Sequence, residues 1–110
     1  MKISEFQDLI SDLYLDRDME RGVNGTFLWV LEEIGELSEA LRHYLAGKDS
    51  SDLNEKRNLN NVGEEIADVI AWISSLANLI GIDLEKTLLD KYPNKCIKCG
   101  FKPCQCPKTN

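Results

Sequence analysis

Two short acidic runs, Glu32-Glu33-Ile34-Gly35-Glu36 and Glu64-Glu65-Ile66-Ala67-Asp68, constrain this chain more than anything else in it. In each run, acidic residues three apart interrupt apolar residues at helical spacing, so Glu33 and Glu36 share one helix face and Glu65 and Asp68 share another. Carboxylates gathered beside an apolar stripe repel one another, and burying an unpaired one is costly. A fold that joins the two faces makes a cage of carboxylate oxygens that requires a cation. All the donors are hard oxygens and no His follows at i+3, which departs from the Glu-x-x-His pattern of di-iron bundles and calls for Mg2+ or Mn2+. Metal-bound phosphates are the natural substrate of such a cage.

The two runs, together with Arg17-Asp18, Arg21-Gly22 and the later Lys91-Tyr92, resemble the MazG-like nucleoside triphosphate pyrophosphohydrolases over roughly residues 1–92. The resemblance implies an all-α bundle of about four helices. It also implies Mg2+-dependent hydrolysis of (deoxy)nucleoside triphosphates to nucleoside monophosphate and pyrophosphate, in the service of clearing non-standard or surplus nucleotides. By the same likeness Glu33, Glu36, Glu65 and Asp68 are the metal ligands. Glu32 is a further ligand or the base that activates water, and Glu32 and Glu36 form the catalytic pair. Glu64 and Glu39 read as surface residues.

Taken in order, Ile3, Phe6, Leu9, Ile10, Leu13 and Tyr14 recur at three and four, and Ser4 with Gln7 suggests a capping box, so a first amphipathic helix is expected from about 4 to 17. The stretch from Asp16 to Arg21 is dense in charge, and Gly22-Val23-Asn24-Gly25 reads as a turn or loop. Thr26 is the expected N-cap of a second helix reaching Ala46, with Phe27, Val30, Leu31, Ile34, Leu37, Leu41 and Leu45 as its core stripe and Gly47 as its C-cap. Lys48 to Asn60 is polar and reads as an exposed connection. Asn61 with Glu64 suggests a capping box for a third helix, whose seam is Val62, Ile66, Val69, Ile73, Leu76 or Ala77, and Ile80. Gly81 should end it, Asp83 should cap a short fourth helix, and Pro93 should stop that one.

If the second and third helices pack antiparallel, Trp29, four residues before Glu33, and Trp72, four residues after Asp68, fall at the same end of the acidic cage. A flat apolar slot there suits a nucleobase. Arg17, Arg21 and Lys91 are candidate phosphate contacts, Arg through bidentate hydrogen bonds and Lys as a point charge. His43, the single histidine, has no implied partner and reads as a surface or interface residue.

The last stretch, residues 93–110, stands apart from the domain at 1–92. Cys96 and Cys99, then Cys104 and Cys106, supply four thiols in eleven residues, a tetrahedral count that points to a structural Zn2+ knuckle rather than to disulfides in a reducing cytoplasm.

With 110 residues and 43% hydrophobic content, the chain supports one domain and a tail. Its net charge of −6 argues against a nucleic-acid partner, and no apolar run approaches the roughly 20 residues of a membrane span. A cytoplasmic protein is the expectation. Helices two and three carry apolar residues on more than one face, Trp29, Leu37, Trp72 and Leu79 among them, so a homodimer or homotetramer is expected. The competing class is a non-catalytic helical module with a zinc knuckle that binds a nucleotide or a partner without turning it over.

Overall fold

A computed structural model describes residues 1–47 and 52–108. Three helices build the body: α1 (Ile3–Ala46), α2 (Asp52–Ile80) and α3 (Leu84–Lys91), with no strand among the described residues.

The first helix is not one rod. At Gly22 the backbone turns to φ 83°, ψ 173°, a region that only glycine enters freely, and the helix breaks into limbs spanning residues 3–21 and 23–46. A straight helix of 44 residues would be about 66 Å long, whereas the molecule measures 45 × 42 × 29 Å. The break therefore folds the first limb back against α2. The turn or loop expected at Gly22 to Gly25 is corrected to a single-residue break at Gly22. The charged residues before it are good helix formers, and Asp18 pairs with Arg21 one turn on. Thr26, expected as an N-cap, lies inside the second limb and is fully buried.

Gln7 is likewise no cap, because α1 begins at Ile3, with Lys2 before it. Its buried amide bonds to Asn78 Oδ1 at 3.0 Å and to the Ile82 carbonyl at 2.7 Å, while its Oε1 accepts from the Leu84 N–H at 3.0 Å. One side chain thus latches the far end of the first limb to α2 and α3. Between those helices Gly81 takes φ 76° and the Ile82 N–H reaches back to the Ala77 carbonyl at 2.9 Å, the six-to-one bond of a Schellman turn. Asp83 caps α3 by accepting from the Lys86 N–H at 3.1 Å.

The second limb of α1 runs antiparallel to α2: Trp29 meets Trp72, Glu36 meets Glu65, and His43 meets Asn58, the numbers climbing on one helix as they fall on the other. The connection expected from Lys48 to Asn60 is corrected from Asp52 onward, where α2 already runs through leucines, charged residues and asparagines without Gly or Pro; residues 48–51 lie outside the described residues. Asn61 is consequently a mid-helix residue and not a cap.

Among the described residues, Ile10, Val30, Val62 and Ala77 are the buried apolar ones. Most of the stripe expected as core on α1, Phe27, Leu31, Ile34, Leu41 and Leu45, is exposed, as are Ile66, Ile70, Ile73 and Ile80 on α2. Leu37, Trp72 and Leu79, expected to be uncovered, are half-buried. The reason is geometric, since the inward faces are taken by carboxylates and indoles. The chain exposes 8542 Å² where a folded monomer of its mass exposes about 6,200 Å². Its radius of gyration is 17.4 Å against about 13 Å for a compact chain of this length.

Candidate active site

The antiparallel register sets the two acidic runs opposite each other. Glu33, Glu36 and Glu65 each place a carboxylate oxygen within 4.8 Å of the other two. Glu33 is buried, at 8% exposure, and Oε2 of both Glu33 and Glu65 is shielded from solvent without a hydrogen-bond partner. An orphaned buried carboxylate oxygen is costly unless something cationic meets it.

The electrostatics agree. Burial, followed by the charge and hydrogen bond of Glu36 and the charges of Asp68 and Glu65, raises the Glu33 carboxyl from 4.5 to about 7. Burial and the charges of Glu36 and Asp68 raise Glu65 as well. Asp68 lies outside this trio, though its charge acts on both, and it stands on the wall of the neighbouring cavity. Glu32, Glu39 and Glu64 are exposed.

Beside the carboxylates the two indoles stack on each other, with centroids 5.5 Å apart and planes 8° from parallel. They do not flank an open slot. Trp72 instead lines a cavity of about 300 Å³ with Tyr14, Arg17, Asp18, Arg21, Asp68 and Ser75. The Arg21 guanidinium lies over the Trp72 ring, Cζ 4.6 Å from its centroid, while Nη1 donates to Asp18 Oδ1 at 2.8 Å. The first limb thus contributes two cations, α2 contributes the indole and a carboxylate, and the break at Gly22 brings them together. Lys91 ends α3 with its Nζ 5.8 Å from the Tyr92 ring and is not among the residues lining this cavity.

Asp18, Tyr14 and Ser75 were given no role at the site by the sequence. Asp18 was detectable as the i−3 partner of Arg21, and Ser75 as a polar residue within an apolar run. Tyr14 carried no signal that set it apart from its own amphipathic stripe.

In the tail, the Sγ atoms of Cys96, Cys99, Cys104 and Cys106 all lie within 4.8 Å of one another, with Cys96 3.6 Å from both Cys104 and Cys106. All four are free thiols, and 3.6 Å is far beyond the roughly 2.05 Å of a disulfide. The Gln105 N–H donates to Cys99 Sγ and the Cys106 N–H to Cys104 Sγ, each at 3.3 Å. N–H groups of Cys99 and Lys98 lower the Cys96 thiol to about 6, and those of Gln105 and Phe101 lower Cys99. Cys106, hydrogen-bonded to Cys104 and the other two sulfurs, is pushed up to about 12. Without a cation the four thiols cannot all ionise together.

Among known proteins, the chain is 36% identical over 63 residues to the uncharacterized protein YvdC of Bacillus subtilis (strain 168), an alignment covering 54% of this chain and 59% of that protein. The chain thus spans less than two thirds of that relative. The description of the MazG nucleotide pyrophosphohydrolase domain matches residues 21–99, which takes in both acidic runs, both tryptophans, Arg21 and Lys91. With helices alone and that match over most of its length, the chain belongs to the MazG nucleotide pyrophosphohydrolase domain family.

Proposed function

We propose that the chain hydrolyses (deoxy)nucleoside triphosphates to the monophosphate and pyrophosphate with Mg2+ or Mn2+, in the clearance of non-standard or surplus nucleotides. The observation that supports this most is the trio of carboxylates, two of them with orphaned, buried oxygens, beside a cavity of arginine and indole. The donor set is all oxygen, which fits a hard divalent cation held by Glu33, Glu36, Glu65 and Asp68. Such a cation, when bound, supplies charge neutralisation for phosphate oxygens and lowers the pKa of water. In this reading Glu32 and Glu36 orient or deprotonate the attacking water. Arg17 and Arg21 meet phosphate oxygens, and the base packs at the edge of the Trp29–Trp72 pair, since the faces of Trp72 are taken by Trp29 and by the Arg21 guanidinium. Lys91 keeps a phosphate role only if another copy of the chain carries it to the cavity.

The direct test is pyrophosphate release from a panel of ribo- and deoxyribonucleoside triphosphates, with Mg2+ and with EDTA. Metal-dependent release supports the reading; tight nucleotide binding without release points instead to a non-catalytic module.

Metal and proton compete for the same carboxylates, which gives a stability signature. The Glu33 carboxyl, raised from 4.5 to about 7, holds a proton in the folded state that the unfolded chain has already lost in that interval. Its favourable contribution is complete below about 4.5 and disappears as pH rises through 7; Glu65 acts in the same direction. Metal-free protein should therefore melt at a lower temperature at pH 8 than at pH 5.5, and Mg2+ should raise the melting temperature more at pH 8. Equal stabilisation by Mg2+ at both pH values would count against ligation by Glu33.

The chain is further proposed to work as a homodimer or homotetramer in the cytoplasm. The exposed stripes of α1 and α2 and the excess surface support a second copy covering them. Among the described residues no single helix is long and apolar enough to cross a membrane, and four free thiols suit a reducing compartment. Light scattering should give at least twice the chain mass of 12.5 kDa; a monomer at micromolar concentration would refute the assembly.

For the tail, residues 93–110, the proposal is one structural Zn2+. Tetrahedral Zn–S bonds of about 2.3 Å put sulfurs about 3.8 Å apart, close to the 3.6 Å seen. The N–H groups aimed at sulfur are the outer-shell bonds that zinc thiolates require.

A further inference from the structure

Asp18 has no part in the reading above and precedes the segment, 21–99, that shows the family. It is nevertheless the most deeply buried charged residue among those described, at 1% exposure. Oδ1 accepts from Arg21 Nη1 at 2.8 Å, and Oδ2 is shielded without a partner. A half-satisfied buried carboxylate is a poor way to stabilise a helix that already has good helix formers. What it secures is a geometry. An arginine on a helix surface samples many rotamers, whereas Arg21, tethered to a buried anion, keeps its guanidinium over the Trp72 ring with Cζ 4.6 Å from the centroid. The remaining guanidinium donors have no hydrogen-bond partner among the described residues. Asp68 of the second acidic run lines the same cavity, so phosphates drawn to a cation on those carboxylates would share that space with Arg21.

We infer that Asp18 is a positioning residue of the nucleotide site: its buried carboxylate pins Arg21 over Trp72 so that the free N–H donors meet the substrate's phosphate oxygens. The inference rests on the nucleotide reading and adds a residue to it. Pinning removes the rotamer entropy that a loose arginine would lose on binding, so its effect belongs to affinity.

The test compares wild type, Asp18→Asn, Arg21→Ala and the double variant. It measures binding of a non-hydrolysable α,β-imido nucleoside triphosphate through tryptophan fluorescence, and KM and kcat for pyrophosphate release. Each single variant should weaken analogue binding about tenfold, the scale of one charge-assisted hydrogen bond, with KM rising by more than kcat falls. The double variant should bind no more weakly than Arg21→Ala, because without the guanidinium Asp18 has nothing to hold. Effects that multiply to about a hundredfold would overturn the inference, as would an Asp18→Asn protein that melts early yet binds the analogue normally. Should Asp18→Asn fail to fold, Arg21→Ala decides alone, and wild-type affinity in it overturns the proposal. Failure of the wild-type protein to bind any nucleotide refutes the underlying reading instead, before any substitution is compared.

Discussion

Glu33→Gln protein should keep its helices, melt higher than wild type in metal-free buffer at pH 8, and release pyrophosphate about a thousandfold more slowly with saturating Mg2+. The rate loss corresponds to about 4 kcal/mol of transition-state stabilisation, the order expected when one ligand of a phosphate-binding cation is lost. The gain in stability has a separate origin. At pH 8 the wild-type Glu33 carboxylate is ionised among Glu36, Asp68 and Glu65, with Oε2 unpartnered, and the amide removes that charge at nearly constant volume. The fall in metal-free melting temperature between pH 5.5 and 8 should flatten in the variant, because the raised carboxyl that causes much of it is gone. Activity within tenfold of wild type would remove Glu33 from the site. A lower melting temperature at pH 8 would show that the carboxylate is held by protein contacts and not by a cation.

The second large effect is expected at the tail. Cys99→Ser should lower zinc from one per chain to near zero and unfold residues 93–108, since besides its bonds to sulfur the knuckle has one short turn, Gly100 N–H to the Cys96 carbonyl at 2.7 Å and Cys96 N–H to the Phe101 carbonyl at 3.0 Å, and an exposed Lys102–Asn94 contact to hold it. Zinc binding in comparable peptides contributes about 10 kcal/mol or more, far beyond what two turn bonds supply. The helical body should survive, because α1 and α2 are joined by Gln7, the stacked indoles and the acidic register, none of which involves the cysteines. Elemental analysis and hydrogen exchange read the two parts separately. Native protein without zinc, its tail amides already protected, would contradict a metal-built knuckle.

The acidic pairs were legible because helix periodicity alone places i and i+3 side chains together, and two such pairs on facing helices leave little freedom. The boundaries of α3 were legible for a similar reason: Gly81, Asp83 and Pro93 act locally. Gln7 was misread because a capping box is also a local rule, while the partners that claim this side chain, Asn78, Ile82 and Leu84, lie more than seventy residues away. The stripe from Phe27 to Leu45 was correctly seen as apolar but assigned to the interior of one chain, and periodicity cannot say which apolar face turns inward. The burial of Asp18 was not foreseen because a charged run looks the same from sequence whether it is solvated or buried under a folded-back limb.

That limb is a beam supported at two ends. One support is the single-residue hinge at Gly22 and the other is the Gln7 latch, about 22 Å away along the helix axis at 1.5 Å per residue. For a rigid beam turning about its hinge, displacement grows in proportion to distance from the pivot. If the latch opens and its end swings by several ångströms, Arg21, one residue from the pivot, moves by a fraction of an ångström, and Arg17 by about a third of the excursion. Placing the cations next to the pivot lets the outer half of the limb breathe while the charge that faces the cavity stays where it is.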